Sequence, residues 1–324
     1  MLKRVFKNIA TAACLTAFIP LSASAAETLK WAHVYEEGSN YHQAAVWAAE
    51  EISKRTDGRV ELKVYPASSL GKEVEINEGL GIGSVDVIYT GPSFVERYYG
   101  PIAISDYPFI MRDYDHWQKY RDSELFGDLS QGYKDATGST VAGLVYYGQR
   151  HVTSNKPILK PSDMEGLKIR VPNSPLMLMF PNAVGANPTP MAFSEVYLAL
   201  QQGVVDAQEN PLPTIKFKKF YEVQSNINLT GHILNSLLII VSDSAISRVG
   251  DDYAELNTVL KEAAMKASDE IYQSEQDLVA WFREQGITVN EVDKKPFQDA
   301  VTPMLTGDDV PYTLEHFNRL AEIK

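Results

Sequence analysis

Apolar positions in the first 60 residues after Thr28 switch between the period of a strand and the period of a helix. Residues 29–34 predict a first strand. Residues 60–64, where apolar and charged side chains alternate, predict a second strand, and residues 85–89 a third. Between the first two strands, one helix face is formed by Tyr41, Ala45, Ala48 and Ile52, spaced four, three and four residues apart. With a further short helix before the third strand, this order predicts a mostly parallel sheet covered by helices.

The rest of the chain continues the mixed pattern and adds one unusually long helix. Extended segments are predicted at residues 141–147, 167–171, 204–208 and 233–241, and a helix at residues 193–202. From residue 251 to about residue 285, apolar side chains keep helical spacing without proline or glycine. A helix of that length measures about 50 Å, which is longer than one ordinary domain needs. We therefore predict that this helix crosses two domains, a number that the length of 324 residues also favours.

The N-terminal segment has the three parts of an export signal. Residues 1–7 carry three basic side chains and no acid, residues 9–21 are mostly apolar, and small residues follow at 23–25. The apolar run is too short to span a bilayer comfortably, and the small residues fit signal peptidase. We expect residues 1–26 to be a cleaved signal peptide, cut after Ala25 or Ala26, and the mature protein to be periplasmic. An uncleaved N-terminal anchor is the alternative.

Charge and cysteine content narrow the possible partners and chemistry. The chain has 30 basic and 42 acidic residues, and removal of the signal segment leaves a net charge of −15. Such a surface repels nucleic acids and anionic membranes, so neither is expected as a partner. The only cysteine, Cys14, lies in the signal segment. The mature sequence therefore offers no disulfide, no thiol nucleophile and no cysteine-ligated metal.

Sequence motifs for catalysis or metal binding are not found. The sequence lacks G-x-S-x-G, a Walker loop and H-E-x-x-H. Glycines at 79, 81 and 83 resemble a dinucleotide loop, but they follow a helix and precede a strand, the reverse of the order that this loop needs. Neighbouring acids at 113–115 and 251–252 are expected on solvated turns or in first helical turns. We predict no catalytic residue, no metal and no cofactor.

One predicted strand carries a basic side chain where α/β sheets bind ligands. In the strand at 167–171 the apolar residues share one face, and Lys168 and Arg170 share the other. Arg170 lies at the carboxyl end of the strand, where open α/β sheets place ligands. Its planar guanidinium fits a carboxylate through two parallel hydrogen bonds. Taken alone, such an arginine is more often a solvated surface residue.

Several longer motifs occur together along the mature chain. They are I-R-V-P-N at 169–173, V-G-A-N-P-T-P-M-A-F-S-E-V-Y-L-A-L-Q-Q at 184–202, V-D-A-Q-E-N-P at 205–211, Y-P-A-S-S-L-G at 65–71, G-S-V-D at 83–86, T-S-N at 153–155 and F-Y-E-V at 220–223. This set resembles the solute-binding proteins of tripartite ATP-independent periplasmic (TRAP) transporters, the DctP-type family. The resemblance covers essentially the whole mature chain. The combination of Arg170 with Q-E-N-P is highly specific for that family.

The resemblance implies a two-domain α/β solute-binding fold with mixed sheets, a hinge between the domains and one long helix that crosses both. Domain I is expected to comprise residues 27–147 and about 236–275, and domain II residues 148–235 and about 276–324. The implied partners are a small-molecule carboxylate and the TRAP membrane permease subunits. We expect a monomer that binds its ligand without acting as an enzyme.

The resemblance also implies roles for individual residues. Arg170 and Arg150 match arginines that hold the ligand carboxylate, and Asn210 of Q-E-N-P matches an asparagine that reaches it. Phe193 matches an aromatic residue that packs on the ligand. Glu73 matches an acidic position that holds polar groups of the ligand from the other domain.

Three further residues are candidates for the same pocket. His33, at the end of the first strand, either lines the pocket or has a capping or turn role. Asn173 either contacts the ligand or caps the next helix. Ser93 belongs to T-G-P-S at 90–93, which stands where the sialate-binding branch of the family has an acid. Tyr89 is expected in the core.

Glu73 and the segment at 90–93 together favour a sugar acid as the ligand. An acidic side chain on the far wall suits hydroxyl groups and disfavours a second carboxylate, and the missing acid disfavours the long tail of sialate. We expect a hexuronate of the glucuronate or galacturonate type, or a related aldonate. Sialate and a C4-dicarboxylate are alternatives within the family. A periplasmic uronate-processing enzyme and a ligand-presenting sensor are alternatives of another class.

Overall fold

The computed structural model describes residues 26–307 and 309–324, so residues 1–25 of the predicted signal peptide lie outside the described residues. Its strands are β1 (Glu27–Ala32), β2 (Val60–Tyr65), β3 (Val87–Thr90), β4 (Thr140–Ser154), β5 (Lys168–Val171), β6 (Asn187–Pro190), β7 (Ala207–Pro211), β8 (Asn226–Val241) and β9 (Thr288–Asn290). Its α-helices are α1 (Asn40–Arg55), α2 (Glu73–Gly81), α3 (Pro92–Val95), α4 (Tyr114–Arg121), α5 (Glu124–Thr137), α6 (Met179–Ala183), α7 (Val196–Gln201), α8 (Leu212–Phe217), α9 (Asp243–Val249), α10 (Tyr253–Glu284), α11 (Lys295–Val301) and α12 (Leu314–Glu322).

Local signals account for the bounds of the helices. Helix α1 begins after Ser39, whose side chain accepts a hydrogen bond from the His42 amide at 3.3 Å, and it buries the predicted apolar face. Helix α5 ends at Gly138, whose φ of 79° lies in the left-handed region that glycine adopts without strain.

The sheet is mixed, and two long strands run through both of its sides. Its strand order is β2-β1-β3-β8-β4-β7-β5-β6, and β9 pairs with the start of β8. The predicted parallel unit is confirmed on one side, where β1 lies between β2 and β3. Strands β5, β6 and β7 form a second parallel set on the other side. Strands β4 and β8 pair with each other along their length and join the two sets, so no flexible linker connects them.

The long predicted helix is confirmed as α10 and contributes to two separate cores. Its N-terminal part packs with α1 and β4 in the larger core, through residues such as Leu256 and Leu260. Leu278 and Phe282, near its C-terminal end, belong to a smaller core with Leu212 and Ile215 of α8. The helix therefore connects the two sides of the molecule, as β4 and β8 do. The division into domains at the predicted boundaries stays a prediction.

Three predicted strand bounds are corrected by the structure. The extended segment predicted at 141–147 continues to Ser154, and the one predicted at 233–241 begins at Asn226. The strand predicted at 204–208 lies instead at β7, because Val204 belongs to an exposed turn. The described residues contain no helix long and apolar enough to cross a membrane, and no group of three metal-ligating side chains.

Candidate functional site

A cavity with an empty volume of about 370 Å³ is lined by residues from both sides of the sheet. Six of the eight predicted site residues line it: Glu73, Ser93, Arg150, Arg170, Phe193 and Asn210. Glu73 begins α2 and Ser93 lies in α3, directly after β3. The other four come from β4, β5, β7 and the 3₁₀ turn before α7. The cavity thus lies where strand ends and helix starts from the two sides meet.

Arg150 is a buried arginine that is paired within the protein. Its Nε and Nη2 donate to the two carboxylate oxygens of Glu209, the Nη2–Oε1 distance being 2.7 Å. Nη2 also donates to the Glu209 carbonyl at 2.7 Å, and Nη1 donates to Oδ1 of Asn235 at 2.8 Å. Burial disfavours the charged guanidinium, but the charge and hydrogen bonds of Glu209 outweigh this effect and raise the pKa of Arg150.

The pKa of Glu209 is shifted in the opposite direction to that of Arg150. Burial acts to raise its pKa, but the charge of Arg150 and hydrogen bonds from His232 and Arg150 lower that pKa to about 2. His232 approaches Glu209 through Nε2 at 3.2 Å. Most of the hydrogen-bonding capacity of Arg150 is therefore used by the protein itself, which leaves at most one Nη1 hydrogen for a ligand.

Arg170 is the second buried arginine at the cavity, and its environment differs. Its Nε and Nη2 donate to the Met191 carbonyl at 3.1 and 2.7 Å. Its Nη1 group is buried and has no hydrogen-bond partner within the described residues, where Arg170 also forms no ion pair. We call this Nη1 group the open edge of Arg170. Burial lowers the pKa of Arg170 to about 10, so the side chain remains a cation at neutral pH.

Glu73 is an acid without an ion-pair partner in the described chain. Its Oε1 accepts hydrogen bonds from the Gly91 amide at 2.8 Å and from the Thr90 hydroxyl at 3.3 Å. Burial raises the pKa of Glu73 to about 7, although these bonds and the charges of Arg170 and Arg150 act against the shift. At neutral pH this carboxyl group exchanges between a form that donates and a form that only accepts.

Polar and aromatic side chains complete the wall between the two arginines. Asn210 donates through Nδ2 to Gln208 at 2.6 Å and accepts from the Tyr147 hydroxyl at 3.3 Å, which fixes its amide. Ser93 is buried, and its hydroxyl has no partner among the described residues. Phe193 is partly buried and has the Lys218 ammonium 5.1 Å from its ring centre.

His33 and Asn173, the other two predicted site residues, do not line this cavity. The His33 ring is buried and turned towards α1, where Nε2 lies 3.2 Å from Nδ1 of His42. Its Nδ1 accepts from the Tyr35 amide, a contact of the kind expected for the alternative turn role, and a pocket role for His33 stays a prediction. Asn173 is exposed beside a separate groove, and Ser174 takes the cap position of the following 3₁₀ turn. Tyr89 is fully buried, as expected.

Sequence reasoning missed Glu209, Tyr35 and Tyr147. Glu209 lies inside the Q-E-N-P motif, and an acid in an otherwise buried strand must be paired, so the motif contained the signal for the Arg150–Glu209 pair. Tyr35 and Tyr147 line the cavity, but tyrosines in or near strands are common core residues and gave no specific signal.

The arrangement is suited to binding an anion that carries further polar groups. The open edge of Arg170 can donate to a carboxylate, and the fixed amide of Asn210 can contact it as well. Glu73 and Ser93 can exchange hydrogen bonds with hydroxyl groups. Phe193 and Tyr35 offer aromatic faces to the carbon chain.

A mixed α/β fold with crossing strands, a long connecting helix and a cavity between the two sides is that of an extracellular solute-binding protein. The model of bacterial extracellular solute-binding protein family 7, DctP, matches residues 31–307. The chain belongs to this family, and the predicted resemblance to TRAP transporter solute-binding proteins is confirmed.

Individual relatives show a range of ligands within this family. The sialic acid-binding periplasmic protein SiaP of Vibrio cholerae is 35% identical over 305 residues, 92% of this chain and 93% of its own. A TRAP periplasmic solute-binding protein from Roseobacter denitrificans with bound L-galactonate is 32% identical, with a TM-score of 0.85 over 91% of this chain and 98% of its own. One from Polaromonas with bound D-erythronate is 30% identical, with a TM-score of 0.87 over 92% and 99%.

Proposed function

We propose that this protein is a periplasmic solute-binding protein that captures a sugar acid by its carboxylate and delivers it to TRAP membrane permease subunits. The observation that carries the proposal is the open edge of Arg170, the buried Nη1 group of a desolvated cation that has no ion pair among the described residues. Burial of an unpaired charge is costly, so such a group marks the place of a ligand of opposite charge. Asn210 and the remaining Nη1 hydrogen of Arg150 complete the carboxylate site.

The rest of the cavity favours one carboxylate and several hydroxyl groups in the ligand. Glu73 repels a second carboxylate when it is ionised, and it accepts or donates hydrogen bonds to hydroxyls. Ser93 adds another hydroxyl partner. We therefore favour a hexuronate, such as glucuronate or galacturonate, or an aldonate such as the L-galactonate bound by the Roseobacter relative. Sialate and a C4-dicarboxylate are the other candidates within the family.

The same chain properties support export and transport. The basic, apolar and small-residue parts of residues 1–26 are those of a cleaved signal peptide, which places the mature protein in the periplasm under this proposal. Ligand binding between the two sides would favour a closed arrangement about a hinge formed by β4 and β8. The permease would recognise that arrangement, and the ligand would leave unchanged.

A thermal-shift screen of residues 27–324 tests the proposal. The panel holds D-glucuronate, D-galacturonate, L-galactonate, sialate and succinate, with D-glucose as the uncharged control. A ligand that binds only the folded state raises the melting temperature, and its stabilising free energy grows with the logarithm of its concentration over Kd. We expect a selective shift with a sugar acid that is recovered unchanged. Chemical conversion of the acid supports the enzyme alternative, and no shift with any acid contradicts the proposal.

Two arginine variants make the screen specific to the cavity. Arg170→Gln removes the open edge and is expected to abolish the shift. Arg59→Gln is the matched control, because Arg59 is half exposed and pairs with Asp252 at 2.9 Å on the surface. We expect the control to respond to the acid as the wild type does. An equal shift in both variants contradicts the role of Arg170.

A further inference from the structure

Tyr35 closes the cavity from the side opposite to Arg170. It follows β1 by three residues, whereas Arg170 lies on β5, so the two side chains enter the cavity from opposite sides of the sheet. The Tyr35 side chain is 4% exposed although it lines an internal space. The Tyr35 ring therefore forms part of the cavity wall on the side of β1.

The main chain on both sides of Tyr35 is fixed. Its amide donates to Nδ1 of His33 at 3.2 Å, and its carbonyl accepts from the Ala67 amide at 2.9 Å. His33 is in turn held by its contact with His42. These bonds tie the segment after β1 to the first strands of the sheet, so the backbone cannot withdraw from the cavity without breaking them.

The ring of Tyr35 is fixed as well. Its centre lies 4.7 Å from that of Tyr41, 5.5 Å from that of Tyr147 and 5.9 Å from the stacked ring of His33. The Tyr41 hydroxyl donates to the Tyr147 carbonyl at 2.8 Å, which locks two of these neighbours together. Across the cavity, the ring meets the edge of Phe193 at 6.2 Å. A ring packed by this many neighbours does not swing aside at low cost.

We propose that Tyr35 sets the upper length of the acid that the protein accepts. The inference rests on the proposed function and adds a limit to it: acids of four to six carbons are accepted, and a nine-carbon acid such as sialate is not.

Titration calorimetry with D-erythronate, L-galactonate and sialate tests this limit. We expect the wild-type protein to bind one of the shorter acids and to reject sialate by roughly a hundredfold or more. Tyr35→Ala removes the ring from the cavity wall. We expect this variant to lower the ratio of the affinity for the shorter acid to the affinity for sialate by about tenfold or more, because sialate binds more tightly and the shorter acids bind more weakly. Tyr35→Phe retains the ring, so the length limit should stay even where the affinity falls.

Two controls separate the length limit from general damage. Tyr35→Leu keeps apolar packing and is expected to shift the ratio in the same direction if Tyr35→Ala does not fold. Tyr312→Ala removes another buried ring, in contact with Tyr107 and remote from the cavity lining, and should leave the ratio unchanged. If the shorter acids bind but Tyr35→Ala and Tyr35→Leu retain the wild-type ratio, the inference is wrong and the proposed function stands. Wild-type binding of sialate as tight as that of L-galactonate also overturns it, and binding of no acid overturns both.

Discussion

Arg150 and Arg170 line one cavity and are about equally buried, at 3% and 2% exposure, yet their surroundings are opposite. Arg150 is enclosed by Glu209 and Asn235, whereas Arg170 has only the Met191 carbonyl and its open edge. The family motifs suggest the same role for both arginines. Under the proposed function, Glu209 neutralises Arg150 within the protein, whereas the ligand neutralises Arg170.

The two acids near these arginines, the buried Glu209 and the half-buried Glu73, repeat this contrast. Glu209 is paired with Arg150, and its pKa is lowered to about 2, whereas Glu73 lacks an ion pair in the described chain and its pKa is raised to about 7. Under the proposed function, the internal pair supports the fold, and the two groups without an ion pair bind the ligand: Arg170 holds its carboxylate and Glu73 its hydroxyl groups. Variants of each group test this contrast.

The largest effect is expected from Arg150→Met, measured as the free energy of unfolding without ligand. The change leaves Glu209 buried without its guanidinium, and loss of one partner of a buried pair costs about 3–5 kcal/mol. Urea unfolding at neutral pH measures the loss. The double variant Arg150→Met with Glu209→Gln should regain most of it, because neither charge then remains. A stability equal to the wild type in the single variant would show that the pair does not support the fold.

Arg170→Met should lower the ligand affinity and leave the stability of the ligand-free protein intact. Its unfolding free energy without ligand should equal or exceed the wild-type value, because an unpaired buried cation has been removed. Ligand affinity should fall by about 2–5 kcal/mol, as for a buried charge pair that loses one member. Calorimetry with the acid found in the screen measures the second quantity. If instead Arg170→Met unfolds easily and binds normally, the roles of the two arginines are reversed.

The Glu73→Gln variant tests the raised pKa through pH. The native Glu73 retains a proton that the unfolded chain, with the ordinary pKa of about 4.5, has lost between pH 4.5 and 7. The wild type should therefore lose stability relative to Glu73→Gln as pH rises from about 4.5 to about 7, and the difference should then stay constant.

Melting temperatures of both proteins from pH 4 to pH 8 give this difference directly. Asp106 and Glu275, whose pKa values are also raised to about 7 by burial, are present in both proteins and cancel in the comparison. A difference that does not change with pH would mean that Glu73 titrates normally. The variant should also change the ranking of hydroxy acids, and an unchanged ranking counts against a pocket role for Glu73.

The smallest effect is expected from Lys218→Gln, which removes an ion pair nearer the surface. Lys218 lies 2.6 Å from Glu36 and joins the segment after α8 to the segment after β1, while its ammonium stands over Phe193. Such pairs contribute about 0–1 kcal/mol and are screened by salt. We expect ligand affinity to fall by a few-fold at low salt and by less at 0.5 M salt. A loss of ligand affinity as large as that of Arg170→Met would contradict the larger role given to the arginine without an ion pair.

Apolar periodicity predicted the fold where burial and hydropathy agree. The unit from β1 to β3 and the helix α10 bury apolar residues at regular spacing, so both were found. The N-terminal part of β8 was missed because its buried residues are polar. Asn228, for example, is fully buried but donates to the Val152 carbonyl and to Ser154 across the sheet. Tertiary hydrogen bonds of this kind leave no hydropathy signal.

The candidate site was predicted through motifs, and its internal pairing was not. The sequence contained both arginines and both acids, but nothing in their spacing shows that Glu209 folds onto Arg150 and leaves Arg170 open. That pairing depends on the register of β4 against β7, which places Arg150 opposite Pro211 and brings Glu209 into reach. Likewise, His33 was a pocket candidate because it ends a strand, and only the packing against His42 turns its ring away.

The contrast between the two arginines is tested by a crystal structure of residues 27–324 with the acid identified in the screen. We expect one carboxylate oxygen at about 2.7–2.9 Å from Nη1 of Arg170, the distance of a charge-assisted hydrogen bond, with Glu209 still paired to Arg150. A carboxylate bound to Arg150 in place of Glu209, with the open edge of Arg170 left unoccupied, would contradict it.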